Sequence, residues 1–501
     1  MRIDWQIAPF SEWEAEAILF FTFEKSSDIQ PGLKRWMEKE GSWLSQSMAL
    51  KDFQAKPQQV GIFYGPSDQR VPRVICAGLG PEESFHVEEL RKSAGEALRK
   101  CRELELRRVA LPLSALEGLP IDSASALQEV LTGSITGLHQ YDTLKTRDPE
   151  KRLHPEALVI SSETEPEEAL RGAVLTADAL SSGICLARDL VDAPANLATP
   201  AYLLATASQL AQIHGFKIEA IDREQALALG MGAFWAVAQG SREPAYCIVL
   251  EHAPRGTKED RPLVLVGKGI TFDTGGISLK HSERLDAMKQ DMAGAAAVLG
   301  VFQVLGRLGT GRRVVGILPC TENMPDGKAY KPGDVVRSLS GLTIEVISTD
   351  AEGRMVLCDA LTYAARFEPA AIIDIATLTG ACIVALGKRV AAVMGNRDRL
   401  VELVREIGMQ VGERIWPLPL WDFFFEDLKS EVADFKNVGD RSAGTIIGGI
   451  FLKQFVPKEI PWVHLDIAGT AWGDKDPRGG TAFGVRTLFE LARRWEDLPV
   501  E

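Results

Sequence analysis

What most constrains this chain is a rhythm in which short apolar runs alternate with longer amphipathic stretches. ILFFTF (18–23), VGIFYG (60–65) and VICAGLG (74–80) have the length and the β-branched or aromatic content of strands. From Val87 to Glu105 apolar residues recur at helical spacing among charges. FKIEAI, AYCIVL, PLVLVG, RVVGIL and AIIDIATL continue the strand series beyond residue 215. GAAAVLGVFQVLGRL and EGRMVLCDALTYAARF read as helices between them. The pattern predicts an α/β fold with largely parallel sheets.

A chain of 501 residues exceeds the usual ceiling for one core, so two domains are expected. Composition turns polar and acidic at SSETEPEEAL (161–170). We therefore place an N-terminal α/β domain at 1–164, a connecting helix at 165–190 and a larger C-terminal domain at 191–501. A net charge of −13 argues against non-specific nucleic-acid or anionic-membrane binding, both of which want basic surface. The seven cysteines are scattered and never in C-x-x-C spacing, which fits a reducing compartment and disfavours a thiolate zinc site. MRIDWQIAPF lacks the basic-then-apolar pattern of a signal peptide, and no run of about 18 apolar residues suggests a membrane span. The expectation is a cytoplasmic protein.

Several common signals are absent. There is no G-x-x-x-x-G-K-[ST], no complete dinucleotide glycine pattern after Gly267 and no HExxH. His464, in WVHLDIAG, reads as a core histidine with a satisfied partner rather than as a ligand. What stands out is a set of polar residues near strand ends between 268 and 354. VGKGITFDTGGISLK carries Lys268, Asp273 and Lys280; MKQDMAGAAA carries Asp291; ISTDAEGR carries Asp350, Glu352 and Arg354. Loops leaving the C-terminal edge of a parallel sheet are where α/β proteins assemble sites.

Each piece also has a plain structural reading. Thr349 and Glu352 fit a helix capping box, and Asp291 could cap a helix starting near Ala293. Asp273-Thr274-Gly275 could be a tight turn, and Lys268 an ordinary ion-paired lysine. Taken together these readings weaken. Four carboxylates within ~4 Å would repel by roughly 4 kcal/mol per pair at an effective dielectric of ~20. They would protonate or separate unless cations lay between them. All-oxygen donors suit Mg²⁺ or Mn²⁺, and Zn²⁺ accepts carboxylates too.

At these residues the chain resembles the leucyl aminopeptidase family of dinuclear metallopeptidases. The resemblance rests on GKGITFDTGGISLK, MKQDMAGAAA, STDAEGR, ATLTGAC (376–382) and HLDIAGTAW (464–472). RDLVDAPANLATP (188–200) and AVAQGS (236–241) fit it as well. It implies a Rossmann- or macro-like N-terminal domain and a C-terminal catalytic domain whose central mixed sheet is flanked by helices. It implies two divalent ions per subunit, Mn²⁺ or Zn²⁺ with Mg²⁺ or Co²⁺ possible, ligated by Lys268, Asp273, Asp291, Asp350 and Glu352. Asp273 and Glu352 would bridge the ions, Lys268 and Asp291 would complete one site, and Asp350 the other. Lys268 could ligate only as the neutral amine, against an ordinary pKa near 10.4.

Lys280 and Arg354 match the family's two further catalytic positions, with a bicarbonate held near Arg354. Met288, Thr377, Gly380, Ala468 and Ala471 would surround an apolar side-chain pocket that prefers leucine-like residues with broad specificity. The implied reaction is release of N-terminal residues from peptides by a hydroxide generated at the two metals. A homohexamer is implied too. Ser348 stands where the family usually has asparagine, and RSAGTIIGG (441–449) and RGGTAFG (478–484) depart from the commonest forms.

Two rivals differ in class. A single Asp-Thr-Gly could signal an aspartic protease, which needs a second such turn that this chain lacks. A non-catalytic binding homologue would not need all seven polar positions filled. Long apolar segments such as TIIGGIFLKQFV (445–456) would have to be covered or exposed by a monomer, which favours assembly.

Overall fold

A computed structural model describes the chain except for residues 25–29, 40, 49–51, 67–69, 148–154, 258–259, 474–478 and 495–501. Arg478 of the RGGTAFG segment therefore lies outside the described residues. The chain divides into two compact units, Met1–Ser181 and Ser182–Glu501, and the division falls inside the helix Glu168–Asp192.

In the first unit the apolar runs form one six-stranded sheet. Its strands are β1 (Arg2–Ile7), β2 (Ala17–Thr22), β3 (Val60–Tyr64), β4 (Arg73–Gly78), β5 (Arg108–Pro112) and β6 (Ala157–Ser162). The order is β1-β6-β5-β2-β4-β3, and only the edge strand β3 runs antiparallel. Every residue of β2 is buried, as expected of a strand apolar at all positions. The helix read from 87 to 105 runs Val87–Glu103.

The second unit is built on a nine-stranded mixed sheet. It contains β7 (Lys217–Ile221), β8 (Tyr246–His252), β9 (Leu263–Gly267), β10 (Gly269–Asp273) and β11 (Val314–Asn323). A small separate sheet takes β12 (Val335–Arg337) and β13 (Thr343–Glu345). The main sheet resumes with β14 (Ala371–Ala376), β15 (Ala391–Gly395) and β16 (Ile415–Pro417). β17 (Phe435–Lys436) joins the small sheet and β18 (Trp462–Asp466) the main one. The main order is β16-β15-β18-β14-β9-β11-β8-β7, with β10 beside β11. β9, β10, β11, β14 and β18 are mutually parallel, so their C-terminal ends share one edge.

Alternation along β9 sends Val264 and Val266 into the core built with helices Glu352–Ala364 and Gly444–Lys453. On the other face, a Cβ at Gly316 of β11 would meet Phe302 at 2.7 Å and Val298 at 3.0 Å, so the helix Ala293–Leu308 lies flush on the sheet. Helices thus cover both faces, which is why these strands carry no alternating polar residues.

One sequence expectation changes here. The 445–456 run is not surface, because Ile447, Ile450, Phe451, Leu452 and Phe455 are all buried among residues of the same chain. Its apolarity is spent on the internal core and gives no reason for a second copy. The sequence has no unbroken apolar run of 18 residues, yet the helical stretches Glu168–Asp192 and Leu285–Leu308 have the length and mean hydropathy of membrane spans. In the second, 78% of the most apolar 18-residue window is buried inside the fold, as in a core helix, so the expectation of no membrane span is not overturned.

Candidate active site

The shared edge of β9, β10, β11 and β14 collects the polar residues singled out above. Lys268 follows β9 and is 2% exposed. Its Nζ donates to Glu352 Oε1 and to the Thr377 carbonyl, each at 2.9 Å, and lies 2.7 Å from Asp291 Oδ2. The side chain passes directly over Gly353, where an added Cβ would come within 2.7 Å of Nζ. Glycine between Glu352 and Arg354 is therefore what lets the lysine reach the carboxylates.

Asp273 ends β10 and is buried. Its Oδ1 accepts from Gly275 N at 2.9 Å and from Asn323 Nδ2 at 2.8 Å, and its Oδ2 lies 2.7 Å from Lys280 Nζ. The tight-turn reading of Asp273 thus holds for one oxygen, while the other faces the cluster. Gly275 and Gly276 both take positive φ, 85° and 66°, the left-handed region that a side chain disfavours. Lys280 pairs with Asp350 as well as with Asp273.

Both capping expectations fail. The helix Glu352–Ala364 has Ala351 at its N-cap with no side-chain cap. Thr349 instead crosses to another loop, where its hydroxyl donates to the Gly275 carbonyl at 2.6 Å and accepts from Ser278 N at 2.8 Å. The helix Ala293–Leu308 likewise has Met292 at its N-cap, uncapped. Asp291 Oδ1 accepts from the Thr377 hydroxyl at 2.7 Å. In both cases tertiary partners outcompete a local hydrogen bond.

The structure therefore brings together all five residues expected as ligands, with Lys280 among them. Asp273, Asp350 and Glu352 can each offer one carboxylate oxygen with all three within 4.8 Å of one another. Burial would push the Lys268 ammonium pKa down, but Asp291, Glu352 and Asp273 together raise it. The same balance raises Lys280. Burial, then repulsion by Glu352, pushes Asp273 up to about 6, and burial raises Asp350. Four carboxylates against two ammonium groups leave the cluster short of positive charge, which is the condition a cation site requires. The donors are hard oxygens with one amine nitrogen, a set that fits divalent cations.

The two ammonium groups also offset much of the repulsion without metal. Protein stripped by chelator is expected to keep a cooperative thermal unfolding transition and wild-type far-ultraviolet circular dichroism. An unfolded spectrum in chelator would contradict this charge balance.

Arg354, in the first turn of the helix Glu352–Ala364, is buried and does not join the cluster. Its Nη1 donates to the Asn437 carbonyl at 2.7 Å, and its guanidinium lies 5.8 Å from the Phe451 ring centroid. Burial lowers its pKa to about 10, so it remains a cation at neutral pH. A cavity of about 480 Å³ opens beside the cluster, with Lys280, Asp350, Met288, Ala468, Ile383 and Trp472 on its wall. Thr377 is turned onto Asp291 instead, Gly380 is exposed at the start of helix Gly380–Leu386, and Ala471 is buried.

His464 lies in the core. Its Nδ1 is 2.5 Å from Asp374 Oδ1, and Trp462 Nε1 donates to the other Asp374 oxygen at 2.7 Å. It stands apart from the carboxylate cluster, although its Nε2 has no hydrogen-bond partner.

Two further residues, Asn323 and Tyr330, carry no local sequence signal. Asn323, fully buried at the end of β11, donates to Asp273 Oδ1 and to the Thr349 carbonyl, and approaches Glu352 Oε2 at 3.5 Å. Tyr330 donates to the same Thr349 carbonyl at 3.0 Å. An asparagine ending an apolar strand carries no local pattern that marks it.

Comparison with known proteins places the chain among its relatives. The family model described as the catalytic domain of the cytosol aminopeptidase family matches residues 185–489, and that of its N-terminal domain matches 18–148. A probable cytosol aminopeptidase of Syntrophobacter fumaroxidans is 61% identical over the whole of both chains. One of Oleidesulfovibrio alaskensis is 46% identical over 98% of each. Among solved structures, a mutant tomato leucine aminopeptidase superposes with a TM-score of 0.88 at 33% identity, covering 98% of this chain and 96% of that one. The bottromycin maturation enzyme BotP in complex with Mn gives a TM-score of 0.84 at 35% identity, covering 96% of this chain and all of that one. The aspartic-protease and binding-protein alternatives gain no support. The chain belongs to the cytosol aminopeptidase family, and it is a metal-dependent aminopeptidase.

Proposed function

We propose that this protein releases N-terminal residues from peptides at a two-cation site held by Lys268, Asp273, Asp291, Asp350 and Glu352. The observation that carries the reading is the convergence of four carboxylates on two lysine ammonium groups beside an open cavity. When bound, divalent cations there acidify water and polarise the scissile carbonyl. Manganese or zinc are the expected ions, with magnesium or cobalt as substitutes; the manganese in BotP supports the first.

The chain's own residues supply the rest. Lys268 would hold a cation through its neutral amine, its Nζ proton passing to solvent water, and Thr377 holds the Asp291 carboxylate in place through Oδ1. Lys280, on the cavity wall, keeps its ammonium for the oxygen that gains charge during attack. Arg354 presents a planar fork suited to a small bidentate anion, and bicarbonate accepting a proton from water would serve there as general base. Met288 and Ala468 line the cavity and give an apolar seat for leucine-like side chains; Thr377, Gly380 and Ala471 are assigned to that pocket on family resemblance alone. Apolar pockets separate neighbours by only about 1–3 kcal/mol per methylene, so specificity is broad.

We place the protein in the cytoplasm because its relatives are named cytosol aminopeptidases. We assign it a homohexamer on family membership, with exposed Trp416, Trp421 and Phe423 as apolar surface for contact. Peptides are its partners; neither membrane nor nucleic acid is proposed.

A leucine-linked chromogenic amide tests the reading. Turnover should vanish in chelator and return with Mn²⁺, Zn²⁺ or Co²⁺. The N-acetylated analogue should remain uncleaved, since acetylation removes the free amine that an exopeptidase must recognise. Release of acetyl-leucine would contradict the assignment.

A further inference from the structure

We propose that Asn437 is a positioning residue that holds the Asp350 loop and the Arg354 guanidinium in fixed register with each other; this rests on the roles proposed above for those two residues. Asn437 is fully buried and directly follows β17, whose parallel pairing with β13 ends at Glu345 and Lys436. Its backbone N–H extends that pairing by donating to the Glu345 carbonyl at 2.9 Å. Its side chain then takes over where the strand stops. Oδ1 accepts from Ile347 N at 2.8 Å and from Ser348 N at 3.3 Å, while Nδ2 donates to the Ser348 carbonyl at 2.6 Å. Its own carbonyl accepts from Arg354 Nη1 at 2.7 Å.

One residue therefore grips two parts of the site that lie 83 to 90 positions earlier in the chain. A primary amide is suited to this because it offers an acceptor and a donor in one plane, as a peptide group does. It serves as a strand edge for Ile347 and Ser348, just ahead of Asp350. These bonds replace the strand partner that Ile347 and Ser348 would otherwise lack once β17 has ended. Neighbouring bonds continue the anchorage: Asp434 accepts from Thr343 N at 2.7 Å, and Ser430 donates to Glu345 Oε2 at 2.6 Å. Only Asn437 joins that anchorage to the arginine among the described residues.

The test uses full-length holoenzyme and Asn437→Ala, with isosteric Asn437→Asp as the second variant should alanine not fold. Asn437→Asp keeps the acceptor and loses the donor. For either, kcat should fall about 10- to 100-fold, the range typical of groups that orient metal ligands, with KM within about twofold of wild type. In chelated protein, amide hydrogen exchange should quicken across 346–350 and stay unchanged in the Ala293–Leu308 helix. In a double-mutant cycle the kcat losses of Asn437→Ala and Arg354→Ala should be clearly less than additive.

Unchanged exchange at 346–350, or strictly additive losses in kcat, would overturn the inference. Failure of the underlying reading looks different, because wild-type protein would then give no metal-dependent turnover.

Discussion

Glu352→Ala should abolish activity, with turnover falling at least about 10³-fold, beyond the 10- to 100-fold typical of groups that only orient ligands. Glu352 is buried, its Oε1 takes a hydrogen bond from Lys268 and its Oε2 faces Asn323. As a proposed bridge between two cations, it should cost both when removed. Asp273→Ala should behave alike, whereas Asp350→Ala should spare the cation held by Lys268 and Asp291. Metal analysis of dialysed variants separates these outcomes. Two cations retained in Glu352→Ala would sink the bridging assignment, and loss of both in Asp350→Ala would show that the two halves of the site are not separable.

Lys280→Ala and Arg354→Ala should each lower kcat by about 10²- to 10³-fold, the scale of losing one charge-stabilising donor, with a smaller change in KM. Both should retain two cations. The geometry sharpens the expectation for Lys280. Its ammonium now pairs with Asp273 and Asp350, two of the proposed ligands, so it competes with an incoming cation. Removing it should leave metal affinity equal to or above wild type while the chemistry slows. Calorimetric titration of Mn²⁺ into the chelated variants measures this. Weaker binding in Lys280→Ala would mean that the lysine helps to build the cation site. Added bicarbonate should stimulate wild type more than Arg354→Ala.

Much of the fold was legible because apolar strands and amphipathic helices carry their own periodicity. Ala371–Ala376 and Leu263–Gly267 could be read within a residue or two. The cluster residues were legible as motifs, but their convergence was not, since it depends on four parallel strands ending at one edge. Thr349 and Asp291 show the limit of local rules, because each fits a cap in sequence and each has a better partner across space. Asn323, Tyr330 and Asn437 were invisible for the same reason. The 445–456 run marks a different limit. Hydrophobicity shows that a segment must be covered, and nothing in it says whether the cover comes from the same chain.

The lysine pair within the carboxylate cluster bears on how such a protein matures in a cell. A zinc finger cannot fold until its ion arrives, so its synthesis is tied to metal supply. Here the nascent chain brings two positive charges of its own to the place where repulsion would otherwise be greatest. Folding can be finished first and loading left to the end. On that reading the stripped form would stay folded when cations are scarce and would become competent once they return.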